Sequence, residues 1–263
     1  MAKIAIIQFP GVNCEYETAR AVESVGGTGE IIRFNVNPRT LSTHDGFILP
    51  GGFAYEDRVR AGAIAAKDEI VAALAEEVDR GKPVLGICNG AQVLVEAGLV
   101  PGRKPGEVEM ALAPNENPDH AGFYCRWVYL RHEPSGTILP MPAAHAEGRF
   151  ATDDTKLITE IKDKELIYCQ YVRADGSGER VYNPNGSISD IAGLSAFTRP
   201  VIALMPHPER ANWLYQLPQY LVGEWGERRR RARREELMGP GPGRVIFKEF
   251  VEAAEKGPGG RYL

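Results

Sequence analysis

The sequence predicts an α/β fold, with an open, mostly parallel (mixed) sheet and helices on both faces. Three observations predict it. The apolar runs Ile4-Ala5-Ile6-Ile7, Phe47-Ile48-Leu49 and Val84-Leu85-Gly86-Ile87 are continuous rather than alternating, as in strands buried on both faces of a parallel sheet. Segments of helical periodicity separate them, which is the rhythm of βαβ units. Further on, 123–132 and 166–172 alternate apolar and polar residues, which suits antiparallel strands. The chain of 263 residues is read as a single domain over 1–263, large enough to bury a core without disulfides.

Taken in order, the run at Ile4 ends in Gln8-Phe9-Pro10-Gly11-Val12-Asn13-Cys14. Asn13 is the expected N-cap of a helix with Glu15 and Glu17 in its first turn, closed by Gly26-Gly27. Strands are expected near Ile31–Phe34 and at Gly46–Leu49, the latter running into Pro50-Gly51-Gly52-Phe53. Paired glycines after a parallel strand leave backbone amides free at the carboxyl edge of the sheet, where ligands bind in this fold class. A helix is expected from about Ala61 to Arg80, with Ile64, Val71, Leu74 and Val78 facing the core. Residues 99–122 read as a long loop, and Val201–Met205 as a short buried strand.

The chemistry centres on Val84–Gln92. A buried strand reaches Cys88, and a helix begins at Asn89. Gly86 and Gly90 flank the cysteine where a side chain would crowd the turn, so the pattern G-x-C-x-G is a nucleophile elbow with Cys in place of Ser. A helix start favours the thiolate, and the Asn89 amide points where an oxyanion would form. The competing reading is a buried structural cysteine, for which two flanking glycines have no use. A thiol nucleophile needs a base, and the base needs an orienting group. His207 follows the Val201–Met205 strand at the same sheet edge, and Glu209, two residues on, points the same way in an extended backbone. His145-Ala146-Glu147 has the same spacing but does not follow an apolar strand. Cys14 has no flanking glycines and is read as structural or loop-packing. His44, His120 and His132 are read as surface or capping residues.

Other chemistries are excluded by what is missing. Cys14, Cys88, Cys125 and Cys169 are scattered, which argues against a zinc site or disulfide framework and suits a reducing cytoplasm. H-x-E without P-C-x-x-C is not a zinc deaminase. No phosphate loop or dinucleotide fingerprint is present. A net charge of −4 gives no reason to expect nucleic acid, and no apolar stretch is long enough to span a membrane.

Several separated motifs resemble a known family. Gly86-Ile87-Cys88-Asn89-Gly90-Ala91-Gln92, Gly51-Gly52 and His207-Pro208-Glu209 resemble the class I (triad) glutamine amidotransferases. More narrowly, 9–14, 50–57, 144–150 and 205–210 resemble the glutaminase subunits of phosphoribosylformylglycinamidine synthases, enzymes of de novo purine biosynthesis. The likeness covers residues 1 to about 210 and returns at about 244–256. It implies a flavodoxin-like class I glutaminase fold and hydrolysis of L-glutamine through a Cys88 thioester, with His207 and Glu209 completing the triad. It also implies an oxyanion site near Gly51, Gly52 and Asn89, and contact of Gln92 with the bound glutamine. No cofactor or metal is implied in this chain. ATP and Mg²⁺ are expected in a partner synthetase subunit, which receives the ammonia, and a small third subunit is expected to help assembly. The chain departs from the family at Ala54 and Glu56, where Ser and Gly are usual, and at Ala146, where Gly is usual. It also carries a span at about 212–243, rich in aromatics and arginine, for which a contact with the partner is expected. A cysteine peptidase on the same fold and a non-catalytic binding module are the rival readings; a glutaminase assay and a Cys-reactive glutamine analogue separate them.

Overall fold

The computed structural model describes residues 1–117, 122–176 and 183–257. In chain order the strands and helices are β1 (Lys3–Gln8), α1 (Glu15–Glu23), β2 (Thr28–Arg33), β3 (Gly46–Leu49), α2 (Glu69–Asp79), β4 (Val84–Ile87), α3 (Asn89–Glu96), β5 (Ala111–Pro114), β6 (Tyr124–His132), β7 (Thr137–His145), β8 (Glu147–Ala151), α4 (Thr155–Asp163), β9 (Ile167–Val172), β10 (Ile191–Ser195), β11 (Val201–Leu204), α5 (Gly223–Arg231) and α6 (Arg244–Glu255). A nine-stranded sheet runs β2-β1-β3-β4-β11-β10-β9-β6-β7, and β5 pairs with β8 apart from it. Strands β2, β1, β3, β4 and β11 are mutually parallel. From β11 onward every pairing is antiparallel, so the sheet is mixed as expected.

Helices cover both faces. A Cβ on Gly46 of β3 would touch Phe250 and Ala254 of α6. Leu49, three residues on and therefore on the opposite face, lies against Gly90 of α3. The strands between them are the core: Ile4 to Ile7, Phe47, Ile48, Val84, Leu85, Ile87 and Val201 to Leu204 are all buried. Strand β4 sits between β3 and β11. Because all three run the same way, the segments that follow them emerge side by side at one edge.

Several local expectations are corrected. The N-cap of α1 is Cys14, whose side chain caps nothing; Asn13 instead accepts a bond from the Cys14 thiol at 3.3 Å. The helix expected from Ala61 begins only at Glu69, capped by Asp68 accepting from Ile70 N at 3.2 Å. Gly62 has φ +79° and packs on the backbone of Gln92 and Val93, which interrupts the helical path upstream. His145-Ala146-Glu147 is read from sequence as not following an apolar strand, but the stretch around Pro140 and Pro142 is strand β7. It is an edge strand, where a proline's missing N–H costs no ladder bond. His145 therefore does end a strand. His44 and His132, read as surface or capping residues, are both buried, and His44 does cap the 3-10 turn Pro38–Thr43 at its C-terminus. His44 Nε2 lies 3.2 Å from Glu30, and His132 Nε2 lies 3.1 Å from Glu249. His120 falls outside the described residues. Strand β10, helix α4 and strand β5 were not foreseen.

The span at 212–243 folds back on the domain. Leu214, Leu217 and Leu221 form a small core of their own with Trp127, Tyr129 and Trp225. Arg229 donates to the Leu217 carbonyl, and Arg230 to those of Gln219 and Leu221. Trp213 is buried between the guanidinium groups of Arg20, 5.2 Å from its ring, and Arg244, 6.0 Å away. Most of the apolar residues expected to face a partner are thus spent inside.

Helix α3 packs closely on β3. A Cβ on Gly90 would run into the Leu49 carbonyl. Gly90→Ala should lower the unfolding free energy by about 3 kcal/mol through overpacking against rigid backbone. Urea denaturation followed by circular dichroism measures this; an unchanged midpoint would mean that α3 can lift off the sheet freely.

Candidate active site

Cys88 occupies the corner between β4 and α3 with φ +50° and ψ −106°. This conformation is strained for any residue bearing a Cβ. The corner is fixed from three sides. Cys88 N–H donates to the Leu204 carbonyl of β11 at 2.8 Å. Its carbonyl accepts from Gln92 N–H at 3.1 Å. A Cβ on Gly86 would lie 2.5 Å from Leu94 Cδ1 and 2.6 Å from the Gly90 carbonyl oxygen, which bears out the crowding inferred from the glycines. As the first residue of α3, Asn89 has no intrahelical acceptor for its N–H.

His207 and Glu209 follow β11. Their side chains meet at 2.5 Å between Nδ1 and Oε1, and both are buried. The backbone N–H of His207 donates to Pro142 O of β7 at 2.8 Å. Glu209 fixes the proton on Nδ1 and leaves Nε2, buried and without a hydrogen-bond partner, as the nitrogen available for catalysis. Burial works against a charge on the imidazole. The carboxylate of Glu209, then the charge of Cys88, then the nearness of the two thiols of Cys14 and Cys88 outweigh it, so its pKa stands well above the ordinary histidine value. The ring is thus poised as an imidazolium beside the nucleophile.

The two glycines after β3 play different parts. Gly52 has φ +152°, and a Cβ there would lie 2.6 Å from Val12 Cα; it lines the pocket at Cys88. Gly51 lies under the histidine: a Cβ would sit 2.6 Å from His207 Cε1 and 3.3 Å from Cys14 Sγ. Asn89 and Gln92 are buried and serve one network. The Asn89 side chain accepts from Ala54 N–H at 2.9 Å and donates to Asp57 Oδ1 at 3.1 Å and Gln92 Oε1 at 2.9 Å. Gln92 Nε2 donates to the Glu147 carbonyl at 2.5 Å. Gln92 lines the pocket, whereas the Asn89 side chain holds its wall.

Sequence reasoning missed four contributors. Cys14 packs against the triad: its sulfur lies within 4.8 Å of ligand atoms on His207 and Glu209 and accepts from Arg210 at 3.1 Å. The pocket in front of Cys88, about 190 Å³, is lined also by Asp57, His145 and Glu147. His145 was visible as an H-x-E motif but was set aside because prolines hid its strand. Burial first, and then the charge of His207, push its pKa down to about 3. It is therefore a neutral imidazole.

A family profile described as a CobB/CobQ-like glutamine amidotransferase domain matches residues 1–239. The phosphoribosylformylglycinamidine synthase subunit PurQ of Methanothrix thermoacetophila is 41% identical over 272 residues, covering 95% of this chain and 98% of the relative. The chain belongs to the glutamine amidotransferases. The PurQ subunit of Pyrococcus horikoshii is 40% identical over 267 residues, covering 97% of this chain and all of the relative. Among solved structures, PurLQS from Thermotoga maritima superposes with a TM-score of 0.70 at 29% identity, covering 96% of this chain and 99% of that one. For this amidotransferase no described helix is long and apolar enough to cross a membrane.

Two outcomes follow for the amidotransferase site. Cys88→Ala should abolish glutamine hydrolysis with the fold retained, and His207→Ala should cost roughly 10²–10⁴-fold in kcat. Steady-state kinetics decide; a larger kcat loss in His145→Ala than in His207→Ala would make His145 the base. The second concerns pH. Burial, and then the Glu147 charge, raise the Asp57 pKa from 3.8 to about 6 against the Asn89 hydrogen bond. Between those values the folded chain keeps a proton that the unfolded chain has lost. Stability therefore falls as pH rises through this window and does not recover above it. Asp57→Asn should flatten that fall and make the unliganded chain more stable at pH 7, measured by thermal melts from pH 4 to 7.

Proposed function

We propose that this chain is the glutaminase subunit of a phosphoribosylformylglycinamidine synthase, working in the cytoplasm. The observation that carries the proposal is the Cys88–His207–Glu209 constellation at the head of β4, in a chain about 40% identical to PurQ subunits along nearly its whole length. Cys88 Sγ attacks the side-chain carboxamide carbon of L-glutamine. The carbonyl oxygen takes up negative charge against the amides of Gly52 and Asn89. His207 delivers its proton to the departing nitrogen, which leaves as ammonia, and the glutamyl thioester of Cys88 remains. The imidazole then takes a proton from water as the water attacks the thioester; glutamate leaves and the thiol is restored. The ammonia passes to a synthetase subunit that converts formylglycinamide ribonucleotide to formylglycinamidine ribonucleotide. That subunit holds ATP and Mg²⁺, and a small third subunit aids assembly. The Thermotoga PurLQS assembly and the absence of a phosphate-loop sequence from this chain support this division of labour.

Ammonia made without an acceptor is lost, so a glutaminase of this kind should be slow alone. Turnover of the purified chain should rise at least tenfold when the synthetase subunit and its nucleotide substrates are added. Coupled glutamate release measures it; an unchanged rate would separate this chain from such a complex.

A further inference from the structure

His207 and Glu209 form a pair of opposite charge in the interior. While the imidazole is protonated, the pair is neutral. When His207 hands its proton to the departing nitrogen, the Glu209 carboxylate is left as a bare anion. Glu209 is fully buried, and its Oε2 has no hydrogen-bond partner. An uncompensated carboxylate in such a place is costly, and that cost holds the proton on the imidazole. Proton transfer is eased by a standing positive charge near Glu209, provided that charge does not draw the carboxylate away from His207.

Arg210 is placed to supply it. Its Nε lies 4.0 Å from Glu209 Oε1, near enough to act through charge and too far for a hydrogen bond. Other partners hold the guanidinium off. Nη2 donates to Cys14 Sγ at 3.1 Å, and Nε donates to Glu17 Oε2 of α1 at 3.4 Å. Glu17 is half-exposed, so water screens its charge. Cys14 cancels none. Burial raises its thiol pKa above the ordinary value, and the thiol proton is donated to Asn13 Oδ1 at 3.3 Å. A neutral sulfur thus fixes the guanidinium and leaves its charge free. The other titratable groups that act on His207 are Cys88 at the head of β4 and His145 at the end of β7, and His145 is neutral.

We propose that Arg210 and Cys14 are positioning residues for the proton transfers of His207, with Arg210 the countercharge of Glu209 and Cys14 the anchor that keeps it at a distance. The inference rests on the glutaminase reading above and deepens it. With the guanidinium in place, Glu209 orients the imidazole without locking the proton to it. Without Cys14, Arg210 would close on the bare Oε2 of Glu209 as a direct pair, and the carboxylate would lose its hold on the imidazole. The two residues thus pull one group in opposite directions. The charge of Arg210 eases loss of the proton, and Cys14 limits how far.

The test is the pH dependence of glutamate release by the full chain with its synthetase subunit and nucleotide substrates. The acid limb of kcat reports the deprotonation of His207 that thioester hydrolysis requires. Arg210→Gln should move that limb up by about one pH unit, with kcat at neutral pH about tenfold lower and KM for glutamine changed less than about threefold. Arg210→Lys keeps the charge and should restore most of the loss. Cys14→Ala should move the limb down. Cys14→Ser, which keeps an acceptor for the guanidinium, should match the parent. Opposite shifts are the signature, because lost packing alone lowers kcat at every pH and leaves the limb in place. Thermal melts check folding, and Cys14→Ala carries the test should Arg210→Gln not fold. An unmoved limb in either folded variant, or shifts in the same direction in both, would overturn the role of the pair while leaving the glutaminase intact. A parent complex that releases no glutamate would instead overturn the glutaminase reading.

Discussion

The backbone corner at Cys88 is the constraint on which the rest of the structure depends. A residue with a side chain is held at positive φ, at a cost of about 1–3 kcal/mol. It stays there because there is no room to relax. Gly90 meets the Leu49 carbonyl on one side, Gly86 meets Leu94 on the other, and Leu204 anchors the Cys88 amide from β11. Each contact requires β3, β4 and β11 to be parallel and adjacent, with α3 laid closely over them. The buried apolar strands thus do more than stabilise the domain. Their side-chain packing offsets the strain that presents the thiol.

The antiparallel half of the sheet completes what the parallel half begins. Strand β7 supplies the Pro142 carbonyl that positions the His207 backbone, the Ala144 carbonyl 3.5 Å from Cys88 Sγ, and His145 at its end. Strand β8 begins with Glu147, whose carbonyl receives Gln92. The Asn89–Gln92 pair ties β8 to the loop after β3, because Asn89 reaches both Ala54 and Asp57. The loop after β3 and the start of β8 are bonded through one turn of α3. The outcome is an electrostatic gradient across the site, with an imidazolium behind the thiol and carboxylates in front of it.

Part of the fold and site was legible in residues 1–117. The unbroken apolar runs gave the parallel strands, and the glycines around Cys88 gave the corner, because sterics at a tight turn act over a few residues. His207 and Glu209 were legible for the same local reason: a buried strand delivers them, and two residues of extended chain align their side chains. Strand β7 was not legible, since Pro140 and Pro142 speak against a strand unless it is known to lie at a sheet edge. Its misreading also concealed His145. The burial of His44 and His132 was hidden because their partners Glu30 and Glu249 lie 14 and 117 residues away.

The sequence by itself determined the order of parallel strands and helices and singled out Cys88, His207 and Glu209 as the candidate site residues. It also determined the family, since those are written in short motifs whose physics is local. Only the tertiary structure decided which acceptors face Cys88, that Gly51 supports His207 while Gly52 lines the pocket, that Cys14 lies against His207 and Glu209, and that Trp213 and the leucines of 212–243 pack inward. Each of those depends on which residues distant in sequence are brought within a few ångströms, and so on the closure of the whole sheet.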